Sequence, residues 1–151
     1  MSTSIYVASS WRNDIQPEVV AFLRGRGHDV YDFKNPPTRA GFSWREVDPD
    51  WQTWGVDRYR AGLAHPAAQA GFASDLAGMR AARVCVLVLP CGRSAHLEAG
   101  WFAGQGRQLI VFIPPGVQVE PELMYLLADR DPRRVIASSL DEVAMLLGDE
   151  G

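Results

Sequence analysis

The chain has 151 residues, 47% of them apolar and 22% charged, with a net charge of -3 at pH 7. That length supports one domain with a substantial core, and the slight acidity argues against nucleic acid or an anionic membrane as partner, since both select basic surfaces. No run approaches the roughly 20 apolar residues that a membrane span needs, and residues 1–11 lack the basic start and long apolar centre of a secretory signal. Cys85 lies inside an apolar run and Cys91 just beyond it. Six residues of extended chain separate cysteines by on the order of 20 Å, too far for a disulfide. Both are expected to be free thiols in a reducing cytoplasm.

Taken in chain order, "SIYVA" at 4–8 reads as a first strand. Residues 17–26 place Val19, Val20, Phe22 and Leu23 on a helical stripe, with Pro17 suited to its opening turn. Residues 28–33 form a second strand. A departure follows from Lys34, the only lysine, to about residue 71, where Trp44, Trp51, Trp54, Phe42 and Tyr59 occur among four prolines. Its composition is not that of a linker, and it is expected to be an aromatic-rich folded excursion within a single domain spanning 1–151. The helical "FASDLAGMRAA" then leads into residues 83–90, an almost wholly apolar run of the kind that fills a central parallel strand covered on both faces. A helix over 94–104, a strand over 108–114, a helix over 120–128, an edge-like strand over 133–138 and a last helix over 139–147 complete the pattern. The last helix begins with "SLDE", a capping-box-like start.

Strand and helix alternate along the whole chain, without repeats or low-complexity segments. The expected fold is therefore α/β: a flavodoxin-like or Rossmann-like three-layer sandwich with a parallel sheet of about five strands. Such sheets bind ligands outside the carboxyl ends of their strands, where strand order reverses. That rule selects residues 9–13, after the first strand, and 90–98, after the third.

The familiar nucleotide signatures are absent from those places. No GxGxxG follows the first strand, which continues as "ASSWRN", and no GxxxxGK[ST] occurs. A phospho-accepting receiver domain would need acids where Ser9 and Ser10 stand and an aspartate near Pro90 and Cys91. His28, His65 and His96 show no metal-ligand spacing, so no metal is expected. A Cys91 nucleophile with His96 as its base is one arrangement the spacing allows.

The carboxylates offer more. Glu98 falls on the first turns of the helix that follows the central strand, among Ala95, Ala99 and Gly100, where an acid could simply complement the helix dipole. Asp75 lies on the preceding helix. Paired carboxylates at a strand-end cleft are also the equipment of glycosyl chemistry, one attacking the anomeric carbon while an acid or a water relay serves the leaving group.

Three stretches in order, "SIYVASSW", "FASDLAGMRAARVCVLVLP" and "SAHLEAGWFAGQGRQLIVF", resemble the nucleoside 2-deoxyribosyltransferase superfamily. The resemblance runs from about residue 4 to residue 112 and matches a Tyr-x-Ala strand, an Asp-bearing helix and a Glu-x-Gly-x-Ala-like helix. It implies that Glu98 is a nucleophile forming a covalent ribosyl ester, that Tyr6 orients it through its hydroxyl, and that Asp75 lies in the nucleoside pocket. Tyr6, Ser10 and Arg12 also resemble the Tyr-x-x-x-Ser-x-Arg pattern with which the nucleotide N-glycosidase branch holds a 5′-phosphate, and Ser9, Arg93, Ser94 and His96 join them as substrate-binding candidates. The sequence departs from the family at "PCGRSAH", which stands where the transferases carry an Asp-Ser-Gly-Thr-like loop.

The resulting expectation is an N-ribosyl transferase or hydrolase acting on a small nucleoside or nucleotide, needing no cofactor and assembled as a homodimer or larger homo-oligomer. Two alternatives remain open on the same residues: a TIR-like NAD glycohydrolase, and a non-catalytic nucleotide-binding sensor or interaction module.

Overall fold

In the computed structural model, which describes residues 2–37 and 39–149, the apolar runs become five strands: β1 (Ser4–Ala8), β2 (Asp29–Asp32), β3 (Val84–Val88), β4 (Gln108–Phe112) and β5 (Ile136–Ala137). Five α-helices accompany them: α1 (Gln16–Gly25), α2 (Val56–Leu63), α3 (Pro66–Ala81), α4 (Arg93–Gly104) and α5 (Leu140–Leu146). The chain divides into two units, residues 1–32 with 79–151 and residues 33–78.

The first unit holds the whole sheet. Its order is β2-β1-β3-β4-β5 and every pairing is parallel, so the order reverses between β1 and β3. This is the flavodoxin-like α/β arrangement that the alternation predicts. Successive side chains along a strand point to opposite faces. Ile5, Val7, Val30, Val86 and Ile110 accordingly face α1 and α5, where Val19, Leu23 and Val143 meet them. Tyr6, Ala8, Cys85, Leu87 and Val111 face α4 and the last turn of α3. All five residues of β3 are buried, as an apolar run covered on both faces requires.

Two elements differ from expectation. Residues 120–128 do not form an α-helix; a 3₁₀ segment over Leu123–Leu127 takes their place, its first turn capped by Glu122, which accepts from the Met124 N–H at 2.8 Å. A short helix is held mainly by burial of an apolar face, and here Leu123, Met124 and Leu127 are exposed. The edge strand shrinks to Ile136–Ala137 because a 3₁₀ turn over Pro132–Arg134, capped by Asp131, consumes its start. The start of α5 is capped as "SLDE" suggests, with the Ser139 hydroxyl accepting from the Glu142 N–H at 3.1 Å, while the Glu142 carboxylate reaches the Ser138 N–H at 2.8 Å.

The second unit contains the excursion and extends through most of α3 to residue 78. Trp44 is its hub, with ring centroids 4.9 Å from Phe42, 5.7 Å from Trp54 and 6.2 Å from Tyr59. The Trp54 indole N–H donates to Asp48 at 2.9 Å, and this bond, with the Asp50 N–H and the Arg58 guanidinium, holds the Asp48 carboxyl below its usual range. A Cβ at Gly71 would sit 2.9 Å from the Phe42 Cβ, so glycine there allows the ring to close on the helix. Trp44 meets its three neighbours edge to face, which makes the excursion a small, half-buried aromatic cluster of its own.

Among the described residues no helix is long and apolar enough to cross a membrane. Both cysteines are free, as their spacing predicts.

Within the first unit the loop after β1 is tied to the end of β3. The Ser9 hydroxyl donates to the Val88 carbonyl at 2.8 Å, and the buried Asn13 amide donates to the carbonyls of Val88 at 3.3 Å and Pro90 at 3.1 Å. The Asn13 carbonyl oxygen meanwhile accepts from the N–H groups of Ile15 and Gln16, at 2.8 and 3.2 Å, which opens α1. Asn13→Ala removes all four bonds, unties the β1 loop from the end of β3 and takes the Asn13 acceptor from the Ile15 and Gln16 N–H groups. It is expected to cost about 2–4 kcal/mol of unfolding free energy in urea titration.

Candidate functional site

The site begins with a tyrosine in the sheet. Tyr6 is fully buried and stacks on Tyr31, its direct partner across the β1–β2 ladder, with centroids 5.2 Å apart and planes 7° from parallel. Phe102 closes over it from α4 at 5.9 Å. A buried phenol needs a partner for its O–H, and the Tyr6 hydroxyl donates to the Glu98 carboxylate.

Glu98 is half-buried on α4. The buried residues of that helix are Ala95, Ala99 and Phe102, so position 98 falls on the sheet-facing stripe they define at helical spacing. The two alanines are small enough to bring the helix close to β1 and β3. Glu98 is also the sixth residue of α4, whose first turn holds no acid. Dipole effects fade beyond the first turn, so a capping role does not account for this carboxylate. Gly100, by contrast, is exposed and a Cβ there would meet nothing within 4 Å; it gives Glu98 no room that alanine would deny.

The remaining candidates distribute as follows. Ser9 is buried and its hydroxyl proton is committed to Val88. Ser10 is half-buried and accepts from the Arg12 N–H at 3.2 Å, while the Arg12 side chain and its neighbour Trp11 are exposed at the carboxyl end of β1. Arg93 and Ser94 are exposed on the first turn of α4, whose N-cap, Gly92, provides no side-chain cap. Asp75 is half-buried on α3 in the second unit. The structure thus brings Tyr6 and Glu98 into direct contact and sets Ser10 and Arg12 on the loop after β1 and Arg93 and Ser94 on the first turn of α4, within the two stretches that the topology selects.

His96 is fixed at both nitrogens. Its Nδ1 lies 2.8 Å from the Gly92 carbonyl, which can only accept, so Nδ1 carries a proton and donates. Its Nε2 lies 2.8 Å from the Tyr125 hydroxyl, which donates to it when the ring is neutral, and the two rings stack with centroids 5.9 Å apart. Cys91 Sγ is 3.7 Å from the same Nδ1. Because Nδ1 already bears its proton, it cannot take one from the thiol. Burial, and then the charge of Glu98, push the Cys91 thiol up to about 12, so the Cys91–His96 nucleophile arrangement is not assembled. Cys85, more deeply buried, is likewise pushed above the usual thiol range.

Sequence reasoning missed Tyr125, and it included Asn13 in the stretch 9–13 without giving it a role. Tyr125 sits in "LMYLL", where its ring reads as one more apolar residue and its hydroxyl is the only signal. With Pro90, Cys91, His96, Glu120 and Glu122 it lines a cleft of about 450 Å³ beside the carboxyl end of β3. Burial, followed by Cys91 and the two glutamates, raises its phenol to about 12. Among the described residues no group of three His, Cys, Asp or Glu side chains is arranged to hold a metal.

The fold and these contacts define a flavodoxin-like α/β protein with a tyrosine-anchored glutamate at the switch point of its sheet. Two solved structures share that architecture. A 2-deoxyribosyltransferase of the psychrotolerant bacterium Bacillus psychrosaccharolyticus is 19% identical, with 97% of this chain and 96% of that one covered and a TM-score of 0.59. A CMP N-glycosidase of Clostridium botulinum is 14% identical, with 98% and 99% covered and a TM-score of 0.50. By sequence, no family model and no curated protein matches the chain. The likeness to these two solved structures is one of fold, and it extends across nearly the whole chain.

A thiol raised to about 12 is almost entirely protonated at neutral pH. At pH 7.5 Cys91 should alkylate with iodoacetamide at least about ten-fold more slowly than a small-molecule thiol, by intact mass. Glu98→Gln removes a neighbouring negative charge and should speed the labelling.

Proposed function

We propose that the protein is an enzyme that cleaves the N-glycosidic bond of a nucleoside or nucleotide, by transfer or hydrolysis, through a covalent glutamyl-ribosyl intermediate. The observation that carries this reading is the hydrogen bond from the buried Tyr6 hydroxyl to Glu98, on the sheet-facing stripe of the helix that follows the central strand. The carboxylate is held by a buried donor beside the edge where such sheets take their ligands. Glu98 attacks C1′ as the bond to the base breaks, the transition state has oxocarbenium character, and water or a second base resolves the ester with net retention. Tyr6 holds the attacking oxygen in line and keeps its place when the ester forms.

The shared fold with a deoxyribosyltransferase and a CMP N-glycosidase is consistent with this chemistry. Ser10 and Arg12 on the loop after β1, and Arg93 and Ser94 on the first turn of α4, are exposed or half-buried and suit an anionic group such as a 5′-phosphate. Asp75 is assigned to the nucleoside pocket on the resemblance alone. A homo-oligomer is part of the same reading: Leu97, 77% exposed, shares α4 with Gly100 and Gly104, where added side chains would meet nothing within this chain. Light scattering that finds only the monomer mass would remove that part.

A screen of nucleosides, nucleotides and NAD for free-base release is the direct test. Glu98→Gln should lower turnover at least about 1,000-fold while substrate binding measured by calorimetry persists; full activity in that variant would falsify the reading. Tyr6→Phe keeps the buried ring and loses one charge-assisted bond, so kcat should fall about 10–100-fold with the fold intact by circular dichroism.

A further inference from the structure

The bond between Tyr6 and Glu98 depends on the direction of the Tyr6 O–H. Conjugation of a phenol oxygen with its ring holds the O–H near the ring plane, so turning that plane swings the proton away from its acceptor. The last torsion of a tyrosine side chain is broad and two-fold. The side chain alone therefore does not set the plane, and its neighbours must.

Tyr31 provides a parallel face. It is the direct partner of Tyr6 in the β1–β2 ladder, and the two rings lie 5.2 Å apart with planes 7° from parallel. Neighbouring strands run about 4.7–4.9 Å apart, so this stack is what the parallel register gives when both side chains rise from one face of the sheet. Phe102 packs on the same ring at 5.9 Å, but its plane is inclined by 37° and does not define that of Tyr6. Burial alone does not explain an aromatic residue at position 31. β2 is an edge strand, and Tyr31 is half-buried between the buried Val30 and Asp32. An aliphatic side chain would fill such a place as well.

The strand that carries Tyr31 is itself fixed. Its ladder with β1 continues one residue further, to Val7 and Asp32. The buried Asp32 carboxylate accepts from the buried Gln16 Nε2 at 2.9 Å, and the Gln16 backbone N–H is one of the two that Asn13 holds at the start of α1. The platform beside the Tyr6 ring is thus tied through β2 to the first turn of α1.

We propose that Tyr31 is a positioning residue of the Glu98 site: its stacked ring sets the plane of Tyr6 and so aims the hydroxyl at the carboxylate. This rests on the reading of Glu98 as nucleophile. The role belongs to the ring, so phenylalanine retains it and an aliphatic residue loses it. Tyr31 acts on the reaction only through Tyr6, so its effect falls on kcat rather than KM and disappears when the Tyr6 hydroxyl is absent.

The test is a double-mutant cycle on the full chain, read in two ways. Tyr31→Leu and Tyr31→Ile, each checked by circular dichroism, should lower kcat about 5–20-fold on any nucleotide that the screen identifies, with KM within about two-fold. Tyr31→Phe should stay within about two-fold of the wild type in both constants. In a Tyr6→Phe background the aliphatic variants should lower kcat by less than about a further two-fold. Losses that multiply, a Tyr31→Phe as poor as Tyr31→Leu, or an unchanged kcat in Tyr31→Leu would each overturn the assignment and leave the Glu98 reading intact.

The second readout needs no activity. Tyr6→Phe removes the O–H that Glu98 accepts, and the shift it causes in the urea midpoint should shrink by at least about half when Tyr31 is already leucine. A shift of the same size in both backgrounds overturns the proposal. If the wild type releases base from nothing in the screen, or Glu98→Gln keeps full activity, the nucleophile reading falls and the positioning role with it, whatever the urea cycle gives.

Discussion

A phenol with no exposed surface must place its O–H somewhere, and the Tyr6 hydroxyl has Glu98 within the helix that covers it. That requirement organises the site. β1 alternation turns Tyr6 toward α4, register sets it against Tyr31, and the small residues Ala95 and Ala99 bring the helix close enough for Glu98 to reach. A neutral acceptor would satisfy the phenol without the desolvation that a half-buried carboxylate carries. A carboxylate at a sheet-facing helix position is therefore a costly choice if stability is the only aim. Its place at the β1–β3 switch point, where the sheet opens to ligands, supplies a reason beyond stability.

How much of this was legible follows from how local each signal is. The apolar run of β1, the fully apolar β3 and the helical pattern of α4 are contained in short windows, and those elements lie within a residue or two of their sequence limits. Residues 120–128 misled because apolar spacing was read as a buried face, whereas Leu123 and Leu127 point outward and only a 3₁₀ segment forms. The tryptophan-rich excursion was recognisable as folded, but its packing was not. Trp44, Trp54 and Tyr59 assemble through contacts that no periodicity encodes.

The site divides along the same line. Glu98 and Tyr6 were readable because a strand-end rule and a family resemblance single out their positions. Asn13 was not, because an asparagine in a polar turn gives no sign that its side chain joins two loop carbonyls to a helix start. The Tyr125 hydroxyl was hidden for a different reason: its partner, His96 Nε2, lies 29 residues away in the chain. The His96 tautomer is in turn set by the carbonyl of Gly92, the N-cap of α4, a backbone group invisible as a residue type.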